Sequence, residues 1–258
     1  MKKTISLFLC MHLITCICLA AEVENWKEYK TAHFIIYYKN ITEDFLKTVE
    51  NAAENYYDEI AQNLGFVRYK SWTYEERGKI YIYNDAADYT ASARQADWSH
   101  GAALIHDKTI RTFPSANGFF DSTLPHELGH IIFREFIGEQ AEIPLWLEEG
   151  VAMYQEKAKR WGANKAVQSA IQNGQFISLT NLSRMRLYNQ SDTPTVELFY
   201  AESASIVYYL ISEQGQERFV AFCRKLKERH LFEQALKETY VRFNNLDDLN
   251  KAWLNYLK

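Results

Sequence analysis

His126-Glu127-Leu128-Gly129-His130 sets two imidazoles four residues apart, with a carboxylate beside the first. On a helix, positions i and i+4 lie about 40° apart around the axis and ~6 Å along it. Both rings then share one face and can close on a single metal ion. Glu127 points roughly 100° away from His126, near that ion without having to bind it. The flanking residues favour a helix. Asp121 or Ser122 is available as an N-cap, Pro125 falls in the first turn where a missing N–H is tolerated, and Gly138 suits the end.

A catalytic zinc keeps three protein ligands and one position open to water. The metzincin pattern, with a Gly and a third His soon after the helix, is excluded because Phe133 and Phe136 stand at those places. The next source of a ligand is Pro144-Leu145-Trp146-Leu147-Glu148-Glu149-Gly150-Val151-Ala152-Met153-Tyr154. A short turn over 138–144 lets this second helix fold back on the first and present a carboxylate. Local chemistry does not choose between Glu148 and Glu149.

W-L-x-E-G-x-A-x-Y following H-E-x-x-H resembles the gluzincins, in particular the aminopeptidase-N-like branch and the smaller bacterial peptidase-MA-like domains. That branch places eighteen residues between the second His and the ligand Glu, and Ile131 to Glu148 are eighteen residues. The resemblance therefore selects Glu149, leaving Glu148 as an exposed helix carboxylate. It implies Zn²⁺ on His126, His130 and Glu149, with Glu127 as general base. Downstream, the stretch from Tyr200 to Leu210 resembles the family helix that begins with a catalytic Tyr. Tyr200 would then hydrogen-bond the oxyanion of the tetrahedral intermediate. The implied fold is α+β: a thermolysin-like catalytic domain with an αβ N-terminal lobe (small mixed sheet, about 21–140) and a helical C-terminal lobe (about 141–258).

The implied activity is zinc-dependent hydrolysis of peptide bonds in a peptide or protein substrate. Gly101 to Leu104 stands where aminopeptidases carry an edge strand able to pair with an extended peptide. Leu104 occupies the apparent place of the Glu that reads a free amino terminus, which favours an endopeptidase. The alternative is a catalytically silent gluzincin-fold module that binds peptides.

Met1 to Ala20 reads as a signal peptide, with Lys2 and Lys3 ahead of an apolar run and Cys18-Leu19-Ala20 as a cleavage site. The expected location of the mature chain is secreted or periplasmic. Thr15 and Ile17 precede Cys16 and Cys18 where a lipoprotein signal prefers smaller residues, which argues against a lipid anchor, and the run is short for a membrane span. Residues 21–258 form the expected domain. Three of the four cysteines lie in the leader, and Cys223 falls in an apolar pattern with Phe219, Phe222 and Leu226, so it is expected buried. A formal net charge of −4 without basic clusters gives no support for nucleic-acid binding.

Strands are expected over Ala32–Tyr38, Lys79–Tyr83, Gly101–His106 and Thr109–Phe113, the last two as a hairpin. Thr42 should cap a helix with Phe45, Val49, Ala52, Tyr56 and Ile60 on its inner face, ended by Gly65. Helices are expected over Asn164–Ile171, Gln216–Lys227, Leu231–Tyr240 and Leu246–Leu257. Gln175–Leu182 is expected extended, and Asn189–Pro194 a polar loop. His100 and His106 are expected as surface residues rather than ligands.

Overall fold

A computed structural model describes residues 26–66, 72–93, 101–114, 118–187 and 193–258. The expected signal peptide, His100, the Asp97-Trp98-Ser99 stretch and most of the polar loop before Pro194 lie outside the described residues. In chain order the elements are β1 (Lys27–Lys30), β2 (Phe34–Tyr38), α1 (Glu43–Leu64), β3 (Gly78–Ile82), α2 (Ala86–Ala93), β4 (Gly101–Leu104) and β5 (Thr109–Thr112). They continue with α3 (Leu124–Ile137), α4 (Leu145–Gln155), α5 (Lys157–Gln172), α6 (Leu179–Leu182), α7 (Thr193–Tyr208), α8 (Gln216–Lys227), α9 (Phe232–Thr239) and α10 (Leu246–Tyr256).

The five strands among the described residues belong to one mixed sheet, ordered β1-β2-β3-β5-β4. The central pairs β2–β3 and β3–β5 are parallel, while β1 and β4 close the edges antiparallel. Register sets Ile36 beside Ile80 and Ile80 beside Ile110, and all three are buried. Alternation puts Phe34 and Ile82 on the same face, so one side of the sheet is a continuous apolar surface. Against it packs α1 through Leu46, Val49, Ala53, Tyr57 and Ile60. Thr42 caps α1 by accepting from the Phe45 amide at 3.2 Å, and Gly65 ends it in the left-handed region, as its sequence predicts.

Several elements differ from the sequence-based expectation. β1 and α2 were not foreseen, since Lys-Glu-Tyr-Lys is charged at three of its four positions, as edge strands can be, and eight residues give little periodicity. The hairpin of β4 and β5 turns over Ile105 to Lys108 rather than on Asp107-Lys108 alone. Neither Asp121 nor Ser122 caps α3. A π-helical turn over Phe119–Thr123 runs straight into it, and Thr123 itself is helical. Pro125 does occupy the first turn and Gly138 the end. Gln175–Leu182 is extended only as far as Ser178, which then caps the single turn of α6.

Two glycines let helices cross closely. A Cβ on Gly129 of α3 would sit 3.1 Å from Ala152 Cα on α4. On Gly150 of α4 it would sit 2.3 Å from the Ser203 carbonyl oxygen of α7. So α3, α4 and α7 meet at near-backbone contact, and the remaining helices wrap them in one apolar core that also takes in Cys223. Glu202 of α7 is fully buried in that core, where its Oε1 accepts from the Ile177 amide at 2.8 Å and Oε2 has no partner. Among the described residues no helix is long and apolar enough to cross a membrane.

Three stability outcomes follow from the space around these glycines and from the burial of Glu202. Gly150→Ala should cost about 1–3 kcal/mol or more in denaturant unfolding, because backbone must move to admit the methyl group. Gly162→Ala, in α5 with nothing within 4 Å, should instead gain about 0.5–1 kcal/mol. For Glu202, burial raises the carboxyl from its ordinary 4.5 to about 8, opposed only by the Ile177 amide. Its folded form therefore holds a proton that the unfolded form has lost, and stability falls as pH rises between those values. Glu202→Gln keeps the acceptor, so its melting temperature should exceed wild type by a margin that widens from about pH 5 to about pH 8 and is flat above. A margin independent of pH would refute this account.

Candidate metal centre

Helix α3 presents His126 and His130 on one face, and the turn after it brings α4 back antiparallel. Glu149, in the first turns of α4, lies opposite the two rings. His126 Nε2 and His130 Nε2 are 3.2 Å apart, and Glu149 Oε2 is 3.5 Å from the first and 3.7 Å from the second. Ligands bound ~2.0–2.1 Å from a tetrahedral zinc are separated by roughly 3.3 Å. The triangle formed by these three atoms therefore has the dimensions that zinc requires. Among the described residues, no other group of three His, Cys, Asp or Glu converges in this way. Among the described residues no fourth His, Cys, Asp or Glu joins the cluster, a donor set of the size that catalytic zinc sites use.

Behind the triangle stands a residue the sequence reading missed. Glu156, immediately after α4 and 3% exposed, takes His126 Nδ1 at 2.9 Å and also receives the Ser122 hydroxyl. Burial pushes its carboxyl up, but the His126 hydrogen bond and charge, with Ser122, outweigh this and hold it below the usual range. An ionised carboxylate only accepts, so Nδ1 carries the proton and Nε2 is the nitrogen turned to a cation. A signal was present: Glu156 is seven residues after Glu149, about two turns, hence on the same face. Ser122, expected as a cap, is instead the second support of Glu156.

The charges of the cluster are tightly coupled. Burial alone would lower the His126 pKa, yet hydrogen bonds with Glu149 and Glu156 and the charge of Glu127 raise it to about 10. His130 moves the other way, to about 4, through burial and then the charge of His126. Glu149 is raised by burial but held below its usual range by His126 and His130. The pair of rings thus carries one proton more than two neutral imidazoles, and a cation entering the triangle would displace it.

Tyr200 of α7 packs against the small cluster of Met153, Ala163 and Ala204. Its phenol pKa is pushed well up, first by burial and then by the charges of Glu149, Glu127 and Glu156. It therefore lies within the field of these carboxylates and stays a protonated donor. Glu127 is partly buried beside His126.

Glu148 corrects the sequence reading. Rather than an exposed helix carboxylate it is 16% exposed and paired with Arg134 of α3: Arg134 Nε donates to Oε1 at 2.7 Å and Nη2 to Oε2 at 2.5 Å. His106 is exposed, 3.3 Å from Glu139, and His33 and His230 pair with Glu54 and Glu238. Strand β4 lies at the edge of the sheet nearest α3, with one side unpaired among the described residues. The side chain of Leu104 lies outside the described residues.

A family model described as the Peptidase MA superfamily matches residues 69–258. Aminopeptidase N of Streptomyces lividans is 24% identical over 183 residues, covering 60% of this chain and 21% of that protein. The structure of yeast LTA4 hydrolase in complex with bestatin matches with a TM-score of 0.50 at 15% identity, covering 86% of this chain and 37% of that one. At such identity the likeness is one of fold. This chain spans about a fifth of the aminopeptidase and little more than a third of the hydrolase.

If Glu156 orients His126 for a cation, Glu156→Ala should weaken Zn²⁺ binding about 10–100-fold in chelator competition, with circular dichroism unchanged. An unchanged affinity would reduce Glu156 to a helix-end contact.

Proposed function

The chain belongs to the Peptidase MA superfamily as a gluzincin-type domain, and on that premise we propose that it is a zinc-dependent metallopeptidase acting outside the cytoplasm. The observation that carries the reading is the convergence of His126, His130 and Glu149 at zinc-like spacing, with Glu156 bracing the first imidazole. In this reading Met1 to Ala20 is a removed leader. The sheet and α1 form an αβ lobe over about 21–140, and the helices from α4 onward form a second lobe over about 141–258, with the metal between them.

Zinc held by His126, His130 and Glu149 supplies Lewis acidity and lowers the pKa of adjacent water, from ~15.7 towards ~7 in favourable sites. Glu127 takes a proton from the attacking water onto a carboxylate oxygen and returns it to the nitrogen of the leaving amine. Tyr200 donates its hydroxyl proton in a hydrogen bond to the oxyanion, a charge that exists only after attack, so the interaction favours the transition state over the bound substrate. The free edge of β4 pairs with the backbone of an extended peptide and sets the scissile bond across the site. Recognition through backbone pairing rather than a terminal amine is what an endopeptidase needs.

The test is mass spectrometry of products from a defined peptide pool, with zinc supplied. Wild type should make internal cuts, Glu127→Gln should lose about 10²–10⁴-fold in rate with zinc still bound, and Tyr200→Phe about 10²–10³-fold. Stepwise loss from one end would overturn the endopeptidase assignment. Equal absence of cleavage in wild type and Glu127→Gln, both loaded with zinc, would favour a silent peptide-binding module.

A further inference from the structure

His126, His130 and Arg134 are successive i, i+4 positions of α3, a ladder that drifts about 40° per step. The helices run antiparallel, so moving down this ladder moves up α4. His126 meets Glu156 and Glu149, His130 meets Glu149, and Arg134 meets Glu148. Arg134 therefore holds the residue next to Glu149 in sequence, from a place one turn beyond the second imidazole.

The fork does more than pair a charge. Arg134 Nη1 also donates to the Ala141 carbonyl at 2.9 Å and reaches that of Glu139 at 3.4 Å, so one side chain grips α3, the connecting turn and α4. The start of α4 is also tied by Trp146, whose Nε1 donates to Ser183 Oγ at 2.8 Å, but that bond reaches neither α3 nor the connecting turn. Pro144 stands at the N-cap position of α4 and offers no side-chain hydrogen bond to the first turn. Residues 141–144 before it form no regular structure. Both partners are largely shielded, at 13% and 16% exposure, where a side-on guanidinium–carboxylate pair is directional as well as charged.

We propose that Arg134 and Glu148 are positioning residues of the metal centre, a brace that seats Glu149 opposite the two imidazoles before any cation arrives. This rests on the reading of His126, His130 and Glu149 as a zinc site. A cation that finds its third ligand already in place binds without first ordering α4, so the brace acts on metal affinity and on ligand geometry. An ordinary stabilising ion pair would change neither.

The experiment compares Glu148→Gln, Arg134→Lys and the double variant with wild type, using the whole mature chain. Arg134→Lys keeps the charge but not the fork. Zn²⁺ affinity is read by chelator competition, ligand geometry by the visible spectrum of the Co²⁺-substituted protein, and folding by melting temperature in the metal-free state. Each single variant should bind Zn²⁺ at least about tenfold more weakly and shift or weaken the Co²⁺ bands. The double variant should be little worse than either single one, because the two residues act as a unit. Affinities within twofold of wild type together with an unaltered Co²⁺ spectrum would overturn the proposal, whatever happens to melting. Losses that simply multiply in the double variant would overturn it as well. Failure of wild type itself to bind either metal would remove the zinc reading first and this proposal with it.

Discussion

The close antiparallel crossing of α3 and α4 is the constraint from which the rest of the structure follows. Helices that bring a His Nε2 and a Glu Oε2 within 3.5–3.7 Å of each other must approach closely, which bulky side chains between the axes would prevent. Gly129 and Ala152 meet the requirement on one side of α4, and Gly150 with Ser203 lets α7 press on the other. Holding α7 that close brings Tyr200 within the field of Glu149, Glu127 and Glu156. The sheet and α1 then give α3 an apolar bed, through Leu128, Ile131 and Ile132, on which to rest.

Burial raises the electrostatic stakes of this arrangement. Glu149 and Glu156 are held ionised by hydrogen bonds and charge from the imidazoles, with Ser122 aiding Glu156, while burial first and then the same carboxylates oppose ionisation of Tyr200. The cluster carries more negative than positive charge, which suits a divalent cation and explains why one imidazole binds a proton so firmly without one. Glu202, two residues past Tyr200 on α7, has no such partner and is accordingly driven toward its neutral form.

How much of this was legible in the sequence depended on whether the relevant geometry was local. The pairing of His126 with His130 needs only a helix, so the pentapeptide announces it. Choosing Glu149 over Glu148 required a loop of defined length, which one residue's chemistry does not encode and the eighteen-residue spacing of a resembling family does. Glu156 and Arg134 were missed because their roles depend on which faces two helices turn to each other. An ionic pair fourteen residues apart, such as Arg134 with Glu148, leaves no periodic trace. The error at Asp121 and Ser122 has a similar origin: a π-helical turn feeds α3 without a break, so no capping position exists to be filled. The burial of Cys223 and the Thr42 and Gly65 ends of α1 were readable because each is fixed by its immediate neighbours.

The unequal pairing along α3 and α4 has a consequence for folding fidelity. Sliding α4 by one helical turn, ~5.4 Å, would set Arg134 against Ala152 and His130 against Met153, stranding a guanidinium and an imidazole on apolar neighbours. The observed alignment instead pairs Arg134 with Glu148 and sets His130 beside Glu149. Mismatched alignments are thus penalised before any ion is captured, and the two helices lock like a key whose teeth differ in height.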